Sequence, residues 1–174
     1  EGAEETLGRD AYQTLASVNS LAIVLTAQEK NTEAERLFRR ALEGFERTLG
    51  PDHLTTLITI NNLGRLLQGK RDYTAAEPLL RRALAALERK LGPEHPTTLT
   101  SAANLGRLLH EKGDYAAAET QLLQVLQTCE RALGPKHRDT LANVDSMGQL
   151  LASQGQHAAA ALQFRRALEG RTDD

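Results

Sequence analysis

Between Leu54 and Lys70 the apolar residues recur at the spacing of a single helix face. At ~100° per residue, Leu57, Ile60, Leu63, Gly64, Leu66 and Leu67 fall in one half of the wheel. Ile58, Asn61, Asn62, Arg65, Gln68 and Gly69 fall in the other. A second helix is predicted over Tyr73 to Lys90, where Ala76, Leu80, Ala83, Leu84 and Leu87 form a core-facing stripe. Between the two, "GKRDY" and its later counterpart "EKGDY" supply a stop and a start. Gly113 suits a helix terminator, and Asp72 or Asp114 a following N-cap. Alternating β-branched runs and Asn-Gly hairpins are missing, so the chain reads as all-α.

This two-helix pattern repeats. "LGPDH" at 49–53 returns as "LGPEH" at 91–95 and "LGPKH" at 133–137, so that Gly50, Gly92 and Gly134 recur every 42 residues. One step further back lies Gly8, in the degenerate "LGRD". Segments 49–90 and 91–132 are identical at 23 of 42 positions. Four units follow, at about 7–48, 49–90, 91–132 and 133–174.

Gly64, Ala76 and Ala83 are small enough to let paired helices approach closely. With the Leu-Gly pair of the first helix, Tyr73 at the turn and the alanines of the second, the pattern resembles the tetratricopeptide repeat (TPR), whose usual period is about 34 residues. The 42-residue period, the "LGPDH" joint and "NNLGRLLQGKRDYTAAEPLLRRAL" are similar to the longer repeats of kinesin light chains and related proteins. The resemblance covers essentially the entire chain. It departs at "SLAIVL" and "SMGQLL", where the middle units read "NLGRLL". It implies a right-handed α-solenoid superhelix of four helix pairs, a single array over 1–174. The opening "EGAEETLGRD" has no initiator Met and no signal pattern, and is expected to continue a longer protein.

Composition narrows the function. Only 3% of residues are aromatic and none is Trp, so the core rests on Leu and Ala packed between helices. A net charge of −2 offers no basic footprint, which argues against nucleic acid. No apolar run approaches the ~18 residues that span a membrane. The single cysteine, Cys129, rules out an internal disulfide, and a cytoplasmic setting is expected.

The spaced histidines His53, His95 and His137 first suggest a metal or a catalytic base. A metal needs nitrogens at ~2.0–2.1 Å, whereas neighbouring repeats stand at least ~8–10 Å apart. No nucleophile recurs at a fixed offset from them. They are expected at helix-start joints, where Gly50 ends one helix, Pro51 blocks its continuation and Thr55, Thr56, Thr97, Thr98 and Thr140 cap the next. Cys129 aligns with Phe45 and Leu87 and reads as a buried apolar position. No cofactor, metal or enzyme constellation is expected.

The polar half of each first helix remains. The resemblance implies that first helices line a concave groove, which brings matching positions into rows. Asn19, Asn61, Ala103 and Asp145 make one row, and Ser20, Asn62, Asn104 and Ser146 the next. Ile23, Arg65, Arg107 and Gln149 make a third, and Thr26, Gln68, His110 and Ala152 a fourth. Asparagine can pair with the backbone of an extended peptide, and arginine offers a fork for a carboxylate. The repeated Asn62/Arg65 and Asn104/Arg107 therefore suggest a two-step ladder for an extended, partly acidic peptide, as the resemblance to cargo-binding kinesin light chains also implies. These side chains equally suit solvated groove walls, or pairing with Glu111 or Asp145. The stripe Leu162, Phe164, Ala167 and Leu168 suggests a rival role as a scaffold or self-associating element.

Overall fold

The computed structural model describes residues 12–172, which form eight α-helices and no strand. These are α1 (Tyr12–Ala27), α2 (Asn31–Leu49), α3 (Leu54–Gly69), α4 (Tyr73–Leu91), α5 (Pro96–Lys112), α6 (Tyr115–Leu133), α7 (Arg138–Ser153) and α8 (His157–Thr172). Gly8 and the expected first joint lie outside the described residues. The chain divides into two compact units, 1–87 and 88–174, with the division in the last turn of α4. In the first unit α2 packs on α1, and α3 on α2; in the second, α6 packs on α5, α7 on α6 and α8 on α7. No helix among the described residues is long and apolar enough to cross a membrane.

The predicted stripes are the core. Leu57, Ile60, Leu63, Leu66 and Leu67 of α3 are buried, as are Ala76, Leu80, Ala83, Leu84 and Leu87 of α4. Glycine sets how closely paired helices approach. A Cβ on Gly64 would lie 2.6 Å from Leu80 Cδ2, and one on Gly106 would lie 2.7 Å from Leu122 Cδ2. Both leucines are fully buried and have little room to retreat.

The joints differ in detail from expectation. Gly50 and Gly134 do end their helices, at φ 94°, ψ 161° and φ 95°, ψ 161°, a region essentially closed to side chains. The following caps, however, are the histidines and not the threonines. Nδ1 of His53, His95 and His137 accepts from the backbone N–H of Thr55, Thr97 and Asp139, each at 3.2 Å. The Thr56 and Thr140 hydroxyls instead donate backward to the carbonyls of Gly50 (2.9 Å) and Gly134 (2.8 Å). A threonine at this position thus ties the joint to the helix after it. The buried Thr98 hydroxyl has no such partner among the described residues.

The turn inside each pair has one backbone shape in all four repeats. Glu29 and Arg71 sit at φ 61°, and their counterparts Gly113 and Gly155 at φ 89° and 77°. Asp72 and Asp114 then cap the next helix as expected, accepting from Ala75 and Ala117 N–H at 3.2 Å. Left-handed backbone costs a residue with a Cβ roughly 1 kcal/mol, and glycine almost nothing.

Ion pairs brace the first unit. Glu35 of α2 takes Lys70 at the end of α3 (2.5 Å) and Arg39 on its own helix (2.7 Å). The hydrogen bond from Lys70 first, and that from Arg39 second, hold the Glu35 carboxyl below its ordinary value.

Two predictions follow the turn and the brace. Arg71→Gly should raise the stability of the chain by about 1 kcal/mol and Gly113→Ala should lower it by about the same, read as opposite shifts of the urea midpoint. Because the Glu35 carboxyl titrates lower in the folded than in the unfolded chain, its contribution is complete above the ordinary carboxylate range. It is lost as pH falls through the folded value. Glu35→Gln should therefore flatten the acid limb of a stability–pH curve and leave its neutral plateau only slightly lower.

Candidate functional site

In the first unit, Asn62 and Arg65 of α3 face a cavity of about 250 Å³. Its remaining wall is apolar or nearly so: Ile23 and Ala27 of α1, Phe38 of α2, and Leu66, with the Thr26 hydroxyl at one side. That hydroxyl is spent on the Ala22 carbonyl at 2.8 Å. Asn62 is half-buried and Arg65 exposed, and neither has a hydrogen-bond or ion-pair partner among the described residues. An unengaged guanidinium beside an apolar hollow can receive a carboxylate without first breaking a contact.

The matching pair in the second unit is built differently. Asn104 and Arg107 of α5 border a cavity of about 140 Å³, floored by Cys129 and Leu133 of α6 and closed by Asn143 and Ser146 of α7. Arg107 Nη2 donates to Asn104 Oδ1 at 2.5 Å, and Asn104 is only 2% exposed. The amide carbonyl expected to meet a peptide is thus already satisfied within its own helix. Asn143 Nδ2 donates to the Asp139 carbonyl at 2.9 Å and reaches the Cys129 sulfur at 3.5 Å. Cys129 is fully buried, as its alignment with Phe45 and Leu87 suggests, and burial pushes its thiol up despite the Asn143 donor.

Asn143 was not singled out by periodicity. Its counterparts are Ser17, Thr59 and Ser101, so the signal was a polar column inside an otherwise apolar pattern. The outer rows also resolve. Asn61 and Gln68 are buried, and Asp145 forms an ion pair with Arg171 of α8, the second helix of its own pair. Asn19 is half-buried, and its Oδ1 has no partner among the described residues. Along that row Asn61 is buried, while Asn19, Ala103 and Asp145 are half-buried. His110 Nε2 lies 2.8 Å from the Ser153 hydroxyl, with its ring 6.0 Å from Tyr115. Arg65, Arg107 and Gln149 point outward, as does Ile23 in the same row.

The family model for the tetratricopeptide repeat matches residues 12–89, 60–130 and 112–173. The chain belongs to the tetratricopeptide repeat family. Such repeats generally act as non-catalytic mediators of protein–protein interaction. No curated protein matches the sequence. Among solved structures, the chain is similar to a kinesin light chain-like protein of nearly identical TPR-like repeats from Podosopora anserina. The TM-score is 0.84 at 24% identity, over 98% of this chain and 81% of that one. It is similar also to BtubC (BKLC) from P. vanneervenii, with a TM-score of 0.81 at 18% identity, covering 92% of this chain and 64% of the other. A third is YrrB, a TPR protein with an unusual peptide-binding site, at TM-score 0.63 and 17% identity over 95% and 74%. At these identities the likeness is one of fold.

Among the described residues no three His, Cys, Asp or Glu side chains gather in a way that could hold a metal ion. With Nδ1 committed to a cap, alanine at His53, His95 or His137 should each cost about 0.5–1 kcal/mol, read as a lower melting temperature. A chelator added to the parent chain should leave that temperature unchanged.

Proposed function

We propose that this TPR chain is a non-catalytic interaction module that binds an extended, partly acidic segment of a partner protein, as a kinesin light chain-like cargo adaptor does. The observation that carries this reading is the first-unit hollow, where an unengaged Arg65 and a half-buried Asn62 flank apolar walls. A peptide laid there buries an apolar side chain against Phe38 and Leu66. Its backbone pairs with the Asn62 amide and its carboxylate with Arg65. In the second unit Arg107 supplies the corresponding cation beside a narrower, more polar cavity. That YrrB is a TPR protein with a peptide-binding site supports a ligand of this class.

The ligand's charge is the testable part. Fluorescence anisotropy with labelled synthetic acidic peptides of about a dozen residues reads both affinity and its salt dependence. Two exposed charge-assisted contacts together contribute on the order of 1.4 kcal/mol, so Arg65→Ala with Arg107→Ala should weaken binding about tenfold. The double variant should also bind with a flatter salt dependence. Affinity unchanged at both low and high salt would remove the arginines from the site.

A further inference from the structure

The exposed large apolar side chains of α1 and α8 fall into two kinds when compared across the 42-residue period. Tyr12, Ile23 and Leu162 are exposed where their counterparts Leu54, Arg65 and Thr120 are exposed as well. They follow the repeat. Leu21 and Val24 of α1 do not: they stand 50% and 51% exposed, although Leu63 and Leu66, one repeat on, are buried where α3 packs on α2. Phe164 and Leu168 of α8 stand 40% and 63% exposed, although Leu122 and Leu126, one repeat back, are buried, Leu122 over Gly106 of its own pair and Leu126 beside Val144 of α7.

The inner junctions show what covers such faces. Leu126 shares a core cluster with Val144 of the following first helix, and Val144 corresponds to Val18 in α1. Phe38 and Leu66 line one hollow, and they correspond to Phe164 and Val24. Helix α8 therefore carries the outgoing half of a repeat junction and α1 the incoming half. The two halves supply the rows found on the two sides of an inner junction.

We propose that a second copy of this chain docks its α1 on α8, head to tail, setting Val18 against Leu168, and Val24 with Leu21 against Phe164. The junction uses the rows of an internal one, and in one of them an apolar side chain becomes a charged one. There Phe45, Leu87 and Cys129 give way to Arg171, which is held by Asp145 of its own pair. Losing that apolar contact makes the step between copies weaker than a step within the chain, hence reversible. Because the two faces differ, the contact is heterologous and leaves a free face at each end of every dimer, so that growth continues with concentration. The proposal uses none of the groove arginines and stands whether or not a peptide binds there.

Sedimentation equilibrium on the whole chain tests it. The average mass should rise from the 19.0 kDa monomer by about twofold or more as concentration increases about a hundredfold. Leu21→Glu and Leu168→Glu should each hold the chain at monomer mass. An equimolar mixture of the two should return to dimer and stop there, since each variant keeps one good face. Leu162→Glu should behave as the parent. All three sites are exposed, so unchanged melting curves will show that the variants fold. A constant 19.0 kDa at every concentration overturns the proposal. So does continued association of either single variant, or a mixture that stays monomeric.

Discussion

The near contact of two helix backbones within each pair sets everything else in this molecule. It is made where a first helix offers Gly64, Gly106 or Gly148 to Leu80, Leu122 or Phe164 of the second. In the first pair the roles reverse, and Gly44 of α2 receives Leu15 of α1, while Ala22 stands where the other first helices carry glycine. Missing methyl groups thus bring the pair together, and the large residue opposite fills the space they leave. With few aromatic rings in the chain, close backbone approach stands in for large side chains as the means of filling the core. Once each pair is rigid, the polar arc of its first helix faces a fixed direction relative to that pair.

Much of this was readable in the letters. The period, the two helices per repeat and their buried stripes all depend on local spacing that 3.6 residues per turn translates directly into a face. What escaped was of two kinds. Asn61 and Gln68 were assigned to the open half of the wheel, yet both are buried. Helix α3 has packing on more than one side, from α2 and from Leu80 of α4, so its covered arc exceeds the half-circle that a single neighbour would take. The joints misled for another reason. Several side chains there could have accepted the first free amide, and only backbone geometry decides that histidine does so while Thr56 reaches back to Gly50.

The candidate site shows how far identical letters diverge in context. Asn62 with Arg65 and Asn104 with Arg107 occupy the same positions of their repeats. One arginine has no partner among the described residues, and the other grips the neighbouring amide. Under the proposed reading, a carboxylate arriving at Arg107 competes with an existing hydrogen bond, and one arriving at Arg65 does not. The two positions then differ in affinity without differing in sequence. The floor differs as well. Phe38 and Leu66 make one hollow greasy, while Asn143 and Cys129 make the other tighter and more polar.

The left-handed turn between paired helices has a bearing on how such a protein changes over time. Glutamate, arginine and two glycines hold it in nearly one conformation, so its shape is imposed by the helices it connects and hardly at all by its own letters. A first helix can then be treated as a cassette: lifted out at the turn and replaced by one with a different outward face, while the inward face stays in register. New ligand preferences become reachable by exchange of whole segments, with the core left as it was.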